Sequence, residues 1–237
     1  MRHRSLIRGA RHGSAASVAA ALTLALAGCG SSSQSGNGVA AKSPPEIVAA
    51  AKGVVAGAAT VHVSGSILSQ GKPISLDMEL VAGKGGKGQI SVEGLRVDLI
   101  AVEKAVYVNG SRSLYARLAG PAAASVLQGR WLKVPSSSPS FGSLAAVTNL
   151  TGLVDTTLAE HGTLTRAPGR VIGGKPTVGV TDPSRRGTLY VAATGEPYPL
   201  EIAKSGSGGR IVFDRWNQPV TLTPPPDPIN VNELSGR

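Results

Sequence analysis

From Thr60 onward apolar residues recur at every second position, and this period constrains the fold more than any other feature. Ile74, Leu76, Met78 and Leu80 alternate with Ser75, Asp77 and Glu79, and Val61 and Val63 alternate with His62 and Ser64. Successive side chains of a strand point to opposite faces, so a period of two gives one apolar and one polar face. Similar runs occupy Gln89–Val92, Arg96–Val102, Ala105–Asn109, Trp131–Val134, Thr163–Ile172, Lys175–Thr181, Thr188–Ala193, Leu200–Lys204, Arg210–Asp214 and Val220–Thr223. Between them lie GKGGKG (Gly83–Gly88), Glu103-Lys104, GGKP, DPSRRG, TGEPYP, SGSGG and RWNQP, which carry the Gly, Pro, Asn and Asp that turns need. Strands joined by turns this short are antiparallel.

Helical patterning is confined to two places. Pro44-Pro45-Glu46 opens a helix whose apolar stripe is Ile47, Val48, Ala51, Val54, Val55 and Ala58. In the middle, a short segment at Ser113–Leu118 precedes an Ala-rich helical turn around Pro121–Gln128. Helices are then expected at Phe141–Val147 and Leu150–His161. Leu150, Leu153, Val154 and Leu158 share one face of the latter, and Gly162 stops it. The expected fold is α+β, one large curved antiparallel sheet of ~10–11 strands with helices on its inner face.

The N-terminus has a different character. Arg2, Arg4, Arg8 and Arg11 precede an apolar stretch from Ala15 to Ala27. At ~13 residues it is too short to span a bilayer and suits an export signal. It ends in Leu26-Ala27-Gly28-Cys29, which resembles the bacterial lipobox. That resemblance implies acylation of Cys29, the only cysteine of the chain, and cleavage before it. The expected organisation is a signal peptide at 1–28, a lipidated cysteine with a flexible tether at 29–43, one domain at 44–224, and a Pro-rich, frayed tail at 225–237. The formal charge of +10 falls to +6 once the four signal arginines are removed. A residual positive charge suits a protein held against an anionic membrane.

A single cysteine excludes a disulfide framework and Cys-rich metal sites. Gly83, Gly85 and Gly88 fit G-x-G-x-x-G, but strand-like residues follow where a dinucleotide site needs a helix. Gly169, Gly174 and Lys175 resemble the start of a P-loop, but Pro176 stands where Ser or Thr is required. His62 and His161 are far apart and form no zinc-binding pattern. Ser, His and Asp occur without a G-x-S-x-G elbow. Asp77 and Glu79 could form a carboxylate pair, but i, i+2 spacing is common on any solvated strand face. Arg185-Arg186 is too little for a nucleic-acid surface. The expectation is a protein without enzymatic activity, cofactor, metal or nucleic-acid partner.

Short motifs carry a family resemblance: Val106-Tyr107-Val108, Leu114-Tyr115, Gly129-Arg130-Trp131, Leu150-Thr151-Gly152-Leu153-Val154, the run from Val171 to Val178, and Phe213-Asp214-Arg215-Trp216-Asn217-Gln218-Pro219-Val220. Together with the order of lipobox, tether, helix, strands, central helices and strands, they are similar to the actinobacterial LppX/LprG lipoproteins of LolA/LolB-like fold. The resemblance implies a half-barrel sheet with helices packed on its concave face. It also implies an apolar cavity that binds acylated lipids or glycolipids and carries them across the envelope, on a protein anchored to the outer face of the cell membrane. An envelope transporter or sensor would be a partner.

By alternation the lipid-contacting candidates are Val61, Val63, Leu76, Met78, Leu80, Val97, Leu99, Val106, Val108, Val178, Val180, Leu189, Val191, Leu200, Ile202, Ile211 and Phe213. Leu150, Leu153, Val154 and Leu158 would form the lid side. Alternation alone does not distinguish a filled core from a hollow one. The scarcity of aromatics, at 3%, suits an interior that is not fully filled. The alternative function is an interaction module, a surface lipoprotein with a closed core.

Overall fold

The computed structural model describes residues 36–69, 71–134, 145, 148–152, 162–184 and 186–231. Helix α1 (Pro44–Ala56) is followed by β1 (Thr60–Ser69), β2 (Lys72–Val81), β3 (Gly85–Val92), β4 (Leu95–Val102) and β5 (Ala105–Gly110). Helix α2 (Arg112–Leu127) and β6 (Leu132–Val134) come next. Then follow β7 (Thr165–Ala167), β8 (Val171–Ile172), β9 (Lys175–Asp182), β10 (Gly187–Ala192), β11 (Pro199–Lys204), β12 (Gly209–Asp214) and β13 (Ile229–Asn230).

Among the described residues, thirteen strands belong to one open sheet in the order β13-β6-β5-β4-β3-β2-β1-β12-β11-β10-β9-β7, with β8 paired to β9. The hairpins are antiparallel as expected, while β13 runs parallel to β6. Open sheets of more than ~10 strands curl or flatten, so this size fits the expected curved α+β sheet. The β1–β12 ladder joins the two halves, pairing Val63 with Phe213 and Gly65 with Ile211.

Helix α1 starts at a capping box. Glu46 accepts hydrogen bonds from the Ser43 amide (2.8 Å) and hydroxyl (2.6 Å), and these bonds hold its carboxyl below the usual range. Its inward residues Ile47, Val48, Ala51 and Val55 are buried with Val61, Val63, Met78, Leu80, Leu99 and Val191 in the main core.

Several elements differ from the sequence reading. The segment GKGGKG is mostly strand: the turn closes before Gly85, and β3 pairs with β2 from there. On this strand Gly86 lies opposite Leu80 and Gly88 opposite Met78. A Cβ at Gly86 would come within 2.7 Å of the Leu80 Cδ2, and one at Gly88 within 2.8 Å of the Met78 sulfur. Glycine is thus required to admit large neighbours, not to turn the chain. Gly88 has φ +151°, and its Cβ would also lie 2.1 Å from the Asp77 carbonyl. Gly88→Ala is therefore expected to destabilise the fold by ~1–3 kcal/mol, read as a lower urea midpoint.

Ser113–Leu118 and the helical turn around Pro121–Gln128 correspond to the two halves of α2, which non-helical Gly120 separates. Ser111 caps the helix by accepting from the Leu114 amide, and Gly120 at φ 86° sets a kink before Pro121. The Tyr115 hydroxyl accepts from the buried Gly110 amide at 2.8 Å, fastening α2 to β5, and burial pushes its pKa up. Tyr115, Ala124 and Leu132 form a second, small core joined by Ile229 and Val231.

Thr163–Ile172 is broken into β7 and β8 by Pro168, which cannot donate to a ladder. Prolines flank Val220–Thr223 too, and no strand forms there. The Pro-rich tail is docked as far as Val231: Pro225 is buried and the Ile229 amide donates to the Trp131 carbonyl at 2.8 Å. The end of the expected tether is also docked. Gly36 bridges to Thr194, the Asn37 side chain donates to the Ala192 and Gly195 carbonyls, and Val39 is buried.

Candidate functional site

The sheet register places the strand candidates on one face. Val61 lies opposite Leu80, and Val63 lies between Met78 and Phe213. Leu99 lies opposite Val108, Val97 opposite Ile90, Leu189 between Val180 and Ile202, and Val191 opposite Val178. Ile202 faces Ile211, and Val106 pairs with Ala101, which in turn pairs with Gly86 opposite Leu80. Leu200 is the exception. It is the extra residue of a bulge between Tyr190 and Val191, and it is buried.

This face is not uniform. One part is closed: Val61, Val63, Met78, Leu80, Leu99, Val106, Val178, Val180, Leu189, Val191 and Phe213 are buried in one cluster with residues of α1, as is Leu150. Toward the other end of the strands the cover thins. Leu76, Val97, Val108, Ile202 and Ile211 are half-buried. The same face continues through Ile67, Ile74, Ile90 and Leu95, also half-buried, to Val92, which is 39% exposed. Sequence reasoning did not single out these last five residues, although Ile74 is the first member of the clearest alternation. Cys29, Leu153, Val154, Leu158 and His161 lie outside the described residues.

A crevice of 350 Å³ opens at the β2–β3 and β4–β5 turns. Val81, Ala101, Val102, Val106 and Ala145 line it, with Lys84, Lys104 and Asn149 at its polar parts. Its volume lies at the lower end of ligand pockets, which run ~300–1,000 Å³.

The opposite face is polar and its charges are matched. His62 is bonded through Nδ1 to Asp214 (2.6 Å) and through Nε2 to Asp77 (3.0 Å). Glu79 pairs with Lys87 (3.4 Å) and Arg215 (3.3 Å). Asp77 is thus held by His62, and Glu79 by its two ion pairs. A recess of 310 Å³ over this face is lined by these carboxylates, Lys87, Arg215 and Trp131. Among the described residues no cluster of His, Cys, Asp and Glu could hold a metal ion. No described helix is long and apolar enough to cross a membrane.

The motif residues have structural roles. The Asn217 side chain accepts from the Ala59 amide (2.7 Å) and donates to the Tyr198 hydroxyl (2.8 Å). Trp216 stacks on Tyr198 at 4.4 Å between ring centroids. RWNQP thereby ties the end of β12 to the α1–β1 junction. Gly173-Gly174 forms the β8–β9 turn and Lys175 opens β9, so no helix follows for a phosphate loop.

No protein-family model matches the chain, and no curated protein matches it. Among solved structures it is similar to LprF from Mycobacterium bovis, with a TM-score of 0.54 at 15% identity, over 77% of this chain and 96% of that one. The Mycobacterium tuberculosis lipoprotein LppX aligns over 76% of this chain and 100% of its own, at 18% identity and a TM-score of 0.49. The chain therefore shares the fold of LprF, a protein of the LppX/LprG type, in agreement with the fold that its motifs imply.

Proposed function

We propose that this protein is a lipid-anchored envelope lipoprotein that binds the acyl chains of a lipid or glycolipid on the apolar face of its sheet, for transport or transfer. One observation carries the reading. The apolar face continues past α1 as a half-buried strip across β11, β12, β1, β2, β3 and β4, from Ile202 and Ile211 to Leu76, Ile90 and Val97. A packed core would bury these residues, and a solvated face would not carry them. Acyl chains laid along the strip would gain ~25 cal/mol for each Å² removed from water. Helices on the concave side, with Leu153, Val154 and Leu158 on the lid, would cover them. The shared fold with LprF supports the architecture. Acylated Cys29 would hold the protein at the outer face of the cell membrane, where an envelope transporter or sensor would meet it.

Native mass spectrometry of residues 30–237, made in a lipid-rich actinobacterial host, tests the binding. The expected result is a protein mass with bound acylated species, and an apo mass alone would overturn it. Incorporation of labelled palmitate into the full chain, lost in Cys29→Ser, tests the anchor.

A further inference from the structure

We propose that α2 is a membrane-docking surface that applies the protein to an anionic lipid bilayer. Leu118 and Val126 are 71% and 69% exposed, the former the most exposed large apolar side chain among the described residues. They lie in the two halves of α2, on either side of the Gly120 kink, while Tyr115 and Ala124 hold the helix to the sheet.

The stretch of sequence that holds them carries charge of one sign. No acidic residue occurs between Glu103 and Asp155, whereas Arg112, Arg117, Arg130 and Lys133 all fall there and are exposed. None of these four makes an ion pair among the described residues, in contrast with Lys87 and Arg215, which pair with Glu79. Arg112 even occupies the first helical position, with no acid in that turn, where a positive charge opposes the helix dipole. Residues that break a local stability rule without compensation mark function. Exposed Leu and Val among unpaired arginines is the composition of an interfacial helix, whose apolar side chains enter the acyl boundary while its cations meet phosphates.

The inference rests on the lipid-handling reading for its choice of partner. Its test requires no bound lipid, so the two fail separately. Residues 30–237 contain the whole compact unit that begins at residue 34. This protein is mixed with phosphatidylcholine vesicles with and without phosphatidylglycerol, and the bound fraction is read by flotation.

Binding only to the anionic vesicles, weakening as salt rises, is expected. Leu118→Asp with Val126→Asp should lower the partition coefficient at least tenfold. Each of Arg112→Gln and Arg117→Gln should lower it about fivefold. All four sites are exposed, so thermal unfolding of the variants should match the parent, which separates lost docking from lost folding. Equal binding to neutral vesicles, no binding to either, or variants that bind like the parent would overturn the proposal. So would recovery of this surface bound to an acidic protein with no affinity for vesicles.

Discussion

Leu80→Ala is expected to destabilise the domain by ~3–5 kcal/mol, the upper part of the range for a buried leucine. Leu80 is fully buried, faces Val61 and Gly86 across the two ladders, and packs in the core that α1 closes. Its Cδ2 occupies the space above Gly86, where no side chain exists to swing into the vacated volume. The glycine backbone is held in two ladders and cannot collapse either. Small domains have only ~5–15 kcal/mol in total, so the urea midpoint should fall steeply at unchanged slope. Leu76→Ala, four residues earlier on the same face but half-buried, should cost about 1 kcal/mol. The contrast measures how the apolar face is divided. A loss below about 1 kcal/mol at Leu80 would mean that the space beneath α1 is not close-packed, and the closed-core description would fail.

The sheet was legible because its signal is local. Alternation in β2 and β4 fixed both the strands and the face they bury, and tight turns such as Glu103-Lys104 sit where the sequence put them. What escaped was set by partners distant in sequence. Nothing local marks Gly86 and Gly88 as strand residues, since their role depends on Leu80 and Met78 in the neighbouring strand. Ile229–Asn230 pairs with β6, almost a hundred residues away, so the prolines before it read as an end. The docking of Asn37 depends likewise on carbonyls at Ala192 and Gly195. The apolar candidates followed from alternation, but not their division into buried and half-buried. That division depends on what packs against each part of the face, and the buried part shares its cluster with Ile47, Val48, Ala51 and Val55 of α1.

Leu76→Asp is expected to reduce bound acyl lipid at least tenfold while leaving the domain folded. Leu76 lies in the centre of the half-buried strip, opposite Gly65 on β1 and Ile90 on β3. With no lipid present, a carboxylate there keeps access to water, so the cost to folding is small. Under an acyl chain the same carboxylate loses its water with no donor to replace it, a penalty of several kcal/mol. Each 1.4 kcal/mol of that penalty is tenfold in occupancy. Two controls give the result its meaning. Ser75→Asp places the same charge on the opposite, exposed face and should leave the lipid content unchanged. Val63→Asp places it in the closed core and should unfold the protein. Lipid content, read by native mass spectrometry, should therefore separate three positions of one sheet that urea midpoints alone would rank differently. Equal lipid loads in Leu76→Asp and the parent would remove the strip as the acyl-binding surface. The closed-core interaction module would then be the better account of the fold.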